Sequence, residues 1–314
     1  MTTGTARLSR LGEVLGRAYN SDLFWSFRHT PSAVVAAVVA SVFLLLALLA
    51  PWVAPQNPFN LSALSLMDSE LPPVWVSGGD SRFILGTDVQ GRDIFSTILY
   101  GLRISMVVGF ASVLLAMALG VSLGLAAGYA GGWIEALIMR IADVQLSFPA
   151  ILVALLVNGV ARAALPREVF NDIAMLILIL SIGVSSWVQY ARTVRSLVVV
   201  EKGKEYVQAV NILGRHPLFI AARHILPNTT GPITVIATIN LALAILTEAT
   251  LSYLGVGMPP VTPSLGTLVR LGNEFILSGK WWIVIFPSAA LVGIVLAVNL
   301  LGDWLRDALN PKLR

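Results

Sequence analysis

Long stretches without charged side chains dominate the chain, and six of them are long enough to cross a bilayer. Each stretch is continuously apolar rather than alternating, which is typical of membrane-spanning helices and not of a membrane β-barrel. The pattern therefore predicts an all-α, polytopic membrane protein with six transmembrane helices. The six stretches lie at 32–50, 104–134, 144–161, 173–191, 229–247 and 281–302.

The composition supports this prediction and excludes several classes of protein. Of the 314 residues, 56% are hydrophobic and only 12% are charged, whereas a soluble domain carries about 25% charged residues. The mean hydropathy is +0.81. Because the chain has no cysteine, thiol catalysis, iron–sulfur clusters and disulfides are excluded. No cluster of basic residues is interleaved with aromatic residues, so nucleic acid is not an expected partner.

The distribution of lysine and arginine predicts the orientation in the membrane. If the N-terminus is inside, thirteen of these residues fall in inner segments and seven in outer segments. Short inner segments are enriched in basic residues, so both termini are predicted to be cytoplasmic. The expected organisation begins with a cytoplasmic or interfacial N-terminal helix at 1–30, a first transmembrane helix at 31–53 and an outer, periplasmic loop at 54–92. A core of five transmembrane helices follows at 93–303, and it includes a cytoplasmic loop at 192–228. A cytoplasmic tail is expected at 304–314.

The long cytoplasmic loop carries a pattern of its own. Tyr206, Ala209, Val210 and Leu213 recur at helical spacing, and Gly214 follows them. This spacing predicts a short amphipathic helix that lies across the cytoplasmic face and ends at the glycine. A helix held at both ends by transmembrane helices is well placed to receive a push from a cytoplasmic partner.

Four residues in or directly next to the apolar stretches are candidates for a translocation path or gate. Glu248 is an acid at membrane depth, which is costly and suggests function, although hydrogen bonding within the bundle explains it equally simply. Asn240 and Thr247 are seven residues apart and so lie near one helical face, where they either line a path or join helices. Pro149 is expected to kink its helix. The kink is either a hinge for gating or a structural bend.

The loop also resembles a signature of one family of transport proteins. In that signature Glu-Ala-Ala is followed by three residues, Gly, nine residues and Ile-x-Leu-Pro. The spacing is intact in this chain, with three departures in residue type. The matching positions are Gln208, Ala209, Val210, Gly214, Leu226 and Pro227, and the departures are at Gln208, Val210 and His224.

Further blocks are similar to one branch of that family, the inner-membrane permease subunits of ABC importers for dipeptides, oligopeptides and nickel. Together they extend from residue 85 to the C-terminal region. The blocks are 85–88 (LGTD), 91–93 (GRD), 100–105 (YGLRIS), 139–143 (MRIAD), 248–255 (EATLSYLG) and 302–313 (GDWLRDALNPKL).

The resemblance implies a non-catalytic permease in the bacterial inner membrane. It implies a second, homologous permease subunit, two cytoplasmic ATPase subunits that bind ATP and Mg²⁺, a periplasmic solute-binding protein, membrane lipid and a peptide substrate. Independently, the chain contains no G-x-x-x-x-G-K-[ST] loop, so it cannot hold ATP phosphates in the usual way; no cofactor or metal is expected in it. The residues expected to couple the loop to the ATPase are Glu205, Tyr206, Gln208, Ala209, Val210, Leu213, Gly214 and Arg215.

Asp88, Arg92 and Asp93 allow two interpretations. They lie beside two glycines just before the second span, where a capped and turn-rich start of a helix is expected. The alternative is that they contact the binding protein at the periplasmic face.

Three rival classes remain open on sequence alone. An ion-coupled secondary transporter is the strongest of them, because six spans with an intramembrane acid could carry coupled ions. An intramembrane hydrolase would need a histidine at membrane depth beside Ser185, and the three histidines all lie in polar segments. A membrane scaffold is the third. Among substrates, glutathione, nickel chelates and antimicrobial peptides also stay open; di- or oligopeptides are favoured because no His or acid cluster indicates a nickel site.

Overall fold

The computed structural model describes residues 22–60 and 64–309 and folds them into helices joined by turns and irregular segments. Within these ranges there is no β-strand, and an isolated β-bridge joins Thr87 to Asp93. The helices are α1 (Asp22–Arg28), α2 (Pro31–Leu48), α3 (Ala50–Val53), α4 (Ile94–Ala130), α5 (Gly132–Leu146), α6 (Ala150–Ala164), α7 (Arg167–Lys202), α8 (Glu205–Ile212), α9 (Pro217–Ile220), α10 (Leu226–Tyr253), α11 (Leu265–Asn273) and α12 (Trp282–Ala308). A π-helical turn, Ala221–Ile225, joins α9 to α10, and 3₁₀ turns lie at Leu66–Asp68 and Ile276–Ser278.

Five helical segments are apolar and long enough to span a membrane, and the total is six if the bent pair formed by α5 and α6 counts as one span. The predicted all-α membrane fold is thereby confirmed. The five segments are Pro31–Leu48, Ile94–Ala130, Arg167–Lys202, Ala221–Tyr253 and Trp282–Ala308.

The two predicted terminal segments lie partly outside the described residues. Of the helix predicted within 1–30, the first 21 residues lie outside the described part of the chain. The last helix, α12, continues to Ala308, so the first residues of the predicted tail at 304–314 are helical, and residues 310–314 also lie outside the described part.

The prediction of a continuous third span at 144–161 is wrong. The chain forms two helices there, α5 and α6, whose axes differ by 93°. Pro149 stands at the N-terminal boundary of α6 with an extended backbone, because its ring cannot follow an α-helical turn without a clash and a lost hydrogen bond. Gln145 holds the end of α5 to α7, since its amide donates to the Val184 carbonyl at 2.8 Å. The expected kink is therefore a complete break.

The two longest helices, α4 and α7, pack against each other along a row of glycines. A Cβ atom at Gly120 would lie 2.4 Å from the Trp187 carbonyl oxygen, and one at Gly124 would lie 2.5 Å from the Ala191 carbonyl oxygen. At Gly128 it would lie 2.7 Å from the Val198 Cβ. Small residues at a spacing of four let membrane helices approach backbone to backbone. The glycine row therefore fixes how close α4 and α7 can lie over their C-terminal halves.

The segments predicted to lie outside the membrane meet at one end of the bundle. Glu70 and Lys280 form an ion pair, and the Trp282 indole donates to the Thr87 carbonyl at 3.2 Å. Arg162, in the last turn of α6, donates to the Gly255 carbonyl at 3.1 Å. These contacts join the segment before α4 to the segment around α11 into one cap over the bundle.

The glycine row predicts opposite effects for one chemical change at two helical glycines. Gly124→Ala forces a methyl group onto the α7 backbone, and we expect it to lower stability by about 1–3 kcal/mol although alanine favours helix. Gly159→Ala, in α6, meets no atom within 4 Å and serves as the control, which should be neutral or stabilising. Thermal unfolding of the purified proteins in detergent measures both. Equal behaviour of the two variants would contradict the close packing of α4 and α7.

Candidate functional site

The predicted amphipathic helix of the cytoplasmic loop is present as α8, and one side of it is anchored in the bundle. Val207 is buried and belongs to an apolar cluster with Val198 of α7 and with Ile220 and Ile225 of the following segment. Two residues, Gly203 and Lys204, separate the end of α7 from the start of α8. The position of α8 is therefore tied to the end of α7 and to the segment that leads into α10.

Glu201, near the end of α7, holds the start of α8 through charge-assisted hydrogen bonds. Its two carboxylate oxygens accept from the Lys204 ammonium and from the Tyr206 hydroxyl, each at 2.5 Å. Asn228, in α10, donates to the same Tyr206 oxygen at 2.7 Å. The carboxylate raises the pKa of Lys204, and partial burial, followed by the carboxylate, raises the pKa of Tyr206. At neutral pH the lysine is therefore charged and the phenol protonated, which is the state that maintains these bonds.

The far end of α8 is an exposed apolar tip. Ile212 is 86% exposed and Leu213 is 78% exposed. Gly214 has φ +70° and no atom within 4 Å of the position of a Cβ, so it ends the helix in the left-handed conformation that glycine favours. The tip formed by these three residues has room for a partner surface.

The apolar positions predicted from helical spacing are mostly not the buried ones in α8. Val207 is buried and Val210 is half-buried, whereas Ala209 and Leu213 are exposed. The apolar partners in the bundle lie on the side of Val207, and tertiary packing therefore decides the orientation. The remaining predicted coupling residues Glu205, Gln208 and Arg215 are also exposed, and Tyr206 is 38% exposed.

Glu248 is fully buried and accepts hydrogen bonds from serines of two helices. The Ser105 hydroxyl of α4 donates to its Oε2 at 2.6 Å, and the Ser252 hydroxyl of α10 donates to its Oε1 at 2.7 Å. The same serines accept from backbone N–H groups of Leu265 at 3.3 Å and of Met258 at 3.2 Å. Glu248 is thus the centre of a polar network that fastens α11 and the segment before it to α4 and α10.

The other three candidates for a path or gate occupy separate environments. Asn240 is buried in α10, and its Nδ2 has no hydrogen-bond partner among the described residues. The Thr247 hydroxyl donates to the Leu243 carbonyl of its own helix at 2.7 Å. Pro149 is exposed at the break between α5 and α6. A role of these residues in translocation stays a prediction.

Asp88, Arg92 and Asp93 are all buried, and their contacts match a capped start of a helix. The Arg92 Nε donates to Asp88 Oδ2 at 2.6 Å, and its Nη1 donates to the Pro260 carbonyl at 3.1 Å. Asp93 accepts from the Ser96 backbone N–H at 2.8 Å and so caps α4. Because the three side chains point inward, their role at the periplasmic face would be to shape it rather than to touch a partner directly.

Two features of the site are absent from the residues chosen by sequence. Glu201 anchors α8 but is not among the predicted residues, because nothing in the sequence distinguishes its side chain from that of Glu205, which is predicted instead. The row of Gly120, Gly124 and Gly128 that supports α7 does carry a sequence signal, because small residues at a spacing of four mark close helix packing.

The polar network around Glu248 predicts a marked loss of stability when the acid is removed. Glu248→Ala leaves the Ser105 and Ser252 hydroxyls without their acceptor, at about 1–3 kcal/mol for each buried group. Glu248→Gln keeps the shape and an acceptor oxygen and should cost less. Glu274→Ala, at an exposed acid, is the control and should stay within about 0.5 kcal/mol of the parent. Thermal unfolding in detergent ranks the variants, and an alanine variant at position 248 as stable as the control would refute the structural role of the network.

Comparisons with known proteins agree with the arrangement of helices and loop. Residues 120–314 match the family described as binding-protein-dependent transport system inner membrane component. Residues 19–73 match the N-terminal transmembrane domain of oligopeptide transport permease C.

Individual relatives cover nearly the whole chain. The di/tripeptide transport system permease protein DppC of Pseudomonas aeruginosa is 36% identical over 292 residues, which cover 93% of this chain and 92% of the relative. The dipeptide transport system permease protein DppC of Haemophilus influenzae is 38% identical over 93% of this chain and 94% of its own length. That of Escherichia coli is also 38% identical, over 93% of both chains. Together with the multi-pass helical fold, these similarities place the chain among the bacterial binding-protein-dependent transport system inner membrane components, the family of permeases to which it belongs.

Proposed function

We propose that this protein is the permease subunit of an ATP-driven importer that moves di- or oligopeptides into the cytoplasm by alternating access. The observation that carries the proposal is the exposed tip of α8, Ile212–Leu213–Gly214, on a helix that is otherwise anchored in the membrane bundle. An apolar tip kept in water is costly unless a partner covers it. A bundle with such a tip is suited to a conformational change that a second protein drives.

The partner of the tip is an ATPase subunit in this proposal. The chain has no phosphate-binding G-x-x-x-x-G-K-[ST] motif, so energy must come from another chain. Closure of an ATPase dimer would push α8, and α7 and α10 would carry the movement into the membrane. Two ATPase subunits, a second permease subunit and a periplasmic binding protein complete the proposed assembly, and ATP and Mg²⁺ belong to the ATPases.

Peptides are the proposed substrate because the relatives named above transport dipeptides or di- and tripeptides according to their names. A periplasmic binding protein would select the peptide and deliver it to the cap around α11. The rival, an ion-coupled carrier, would use Glu248, but that acid is enclosed by serines and backbone groups. These hydrogen bonds, which join α10 to α4, favour a structural role for Glu248.

Reconstitution tests the proposal against this rival. The chain co-expressed with its partner subunits and placed in liposomes should take up a labelled dipeptide only when ATP and the binding protein are both supplied. The chain alone, with a proton or sodium gradient, should take up none. Gradient-driven uptake by the chain alone would contradict the proposal.

The orientation is testable because the chain has no cysteine, so that a single introduced thiol can be followed without background. Ile212→Cys lies at the tip of α8, and Leu277→Cys lies in the opposite cap at a side chain that is 98% exposed. In intact spheroplasts a membrane-impermeant maleimide should label position 277 at once and position 212 only after permeabilisation. The reverse pattern would overturn the orientation with cytoplasmic termini.

The docking role of the tip is tested by one substitution at two equivalent glycines. Gly214 has φ +70° and Gly279 has φ +80°, and neither has an atom within 4 Å of a Cβ position. Gly214→Asp and Gly279→Asp therefore impose similar backbone strain at opposite ends of the bundle. At the tip, loss of more than about 1.4 kcal/mol of docking energy would lower ATP-driven peptide uptake by more than tenfold, whereas Gly279→Asp should keep it near the parent level. Normal uptake by Gly214→Asp would exclude the docking role.

A further inference from the structure

A cavity of about 460 Å³ lies between the cytoplasmic half of α4 and the segment that follows α8. Ser122, Leu125, Ala126 and Tyr129 of α4 form one wall, and Pro217 and Ala221 form the other. The volume lies within the range of about 300–1,000 Å³ that is typical of ligand sites. The cavity reaches the surface of the chain, because Ser122, Ala126 and Pro217 are exposed.

The lining suits a hydrocarbon chain. The wall from α4 belongs to one of the apolar segments long enough to span a membrane, and the Ser122 hydroxyl donates to the Ala118 carbonyl of its own helix at 2.7 Å. No ionisable acid or base lines the cavity. A water-filled cavity would need polar partners, and this one offers mainly methyl and methylene groups.

One cation lies beside a residue of the cavity wall. The Lys202 ammonium donates to the Tyr129 carbonyl at 2.7 Å and lies 5.2 Å from the centre of the Tyr129 ring. Lys202 forms no ion pair with a carboxylate in the part of the chain that the structure describes. Its charge is therefore available to an anion beside Tyr129.

From this arrangement we propose that the cavity binds an anionic phospholipid of the cytoplasmic leaflet. One acyl chain occupies the space between α4 and the wall formed by Pro217 and Ala221, and the phosphate lies beside Lys202. An apolar cavity with a cation beside its wall matches the two ends of such a lipid. The choice of leaflet rests on the proposed orientation, and the choice of ligand rests on the cavity and on Lys202.

The site is connected to α8. Leu125 and Tyr129 of the cavity wall pack against the apolar cluster that contains Val207, Ile220 and Ile225. Ala221, on the opposite wall, follows Ile220 directly. A lipid in the cavity therefore packs against the apolar cluster that holds α8, and loss of the lipid would leave this cluster less well packed.

Photo-labelling of the assembled transporter tests the proposal. The complex is placed in phosphatidylcholine nanodiscs with a trace of phosphatidylglycerol or phosphatidylcholine that carries a diazirine in its acyl chain. Labelled peptides are then mapped by mass spectrometry. We expect labels within 122–134 and 217–221, with phosphatidylglycerol favoured about fivefold, the preference expected for one cation near an anionic headgroup.

Two pairs of variants separate the cavity from the charge. Lys202→Gln should remove the preference for phosphatidylglycerol, and Lys202→Arg should keep it. Ala126→Trp fills the cavity and should remove both labels, while Val292→Trp, on an exposed face of α12, should leave them unchanged. Equal labelling by the two lipids in the parent, or no labelling of these segments because another chain covers them, would overturn the proposal. Labelling does not depend on peptide uptake, so this result and a failure of the transport proposal are distinguishable.

Discussion

The contact between α4 and α7 is the constraint on which the rest of the structure depends. Backbone approaches backbone along Gly120, Gly124 and Gly128, where even a methyl group has no space. Membrane helices gain no hydrophobic energy from leaving lipid, so close van der Waals packing must hold them together. Because α7 ends at Lys202 and α8 begins at Glu205, this packed pair is also the support of the α8 tip. A push on the tip therefore acts on a stiff pair of helices rather than on a flexible loop.

The two ends of the bundle are built in opposite ways. At the end that carries α11, buried polar groups are hydrogen-bonded within the chain: the Ser105 and Ser252 hydroxyls donate to Glu248, and Arg92 donates to Asp88 and to the Pro260 carbonyl. At the end that carries α8, apolar side chains of the tip are exposed, and an apolar cavity opens between α4 and the segment after α8. This arrangement suits a subunit that a cytoplasmic partner drives: one end is held together by its own contacts, and the other end is free to bind that partner.

Much of the architecture could be predicted from the sequence, since long apolar stretches can only be satisfied as membrane helices. The left-handed glycine at position 214 was also predictable, because a glycine after an amphipathic stretch commonly ends a helix. The full break at Pro149 was not, because a proline within a span indicates a bend and the 93° angle depends on what α5 and α6 pack against. The orientation of α8 depends on the partners of Val207, and the choice of Glu201 over Glu205 as its anchor depends on where Tyr206 and Asn228 lie. Such choices are made by tertiary contacts between residues far apart in the chain.

We propose that a nucleotide-hydrolysing subunit acts on this bundle through the tip of α8. The most direct measurement places a photo-cross-linking amino acid at position 213 in the transporter as assembled in native membranes, with position 277 of the opposite cap as its counterpart. The account predicts that a nucleotide-hydrolysing subunit is captured from position 213 and not from position 277. Capture of that subunit from position 277, or a tip that reaches no nucleotide-hydrolysing subunit in the intact assembly, would contradict it.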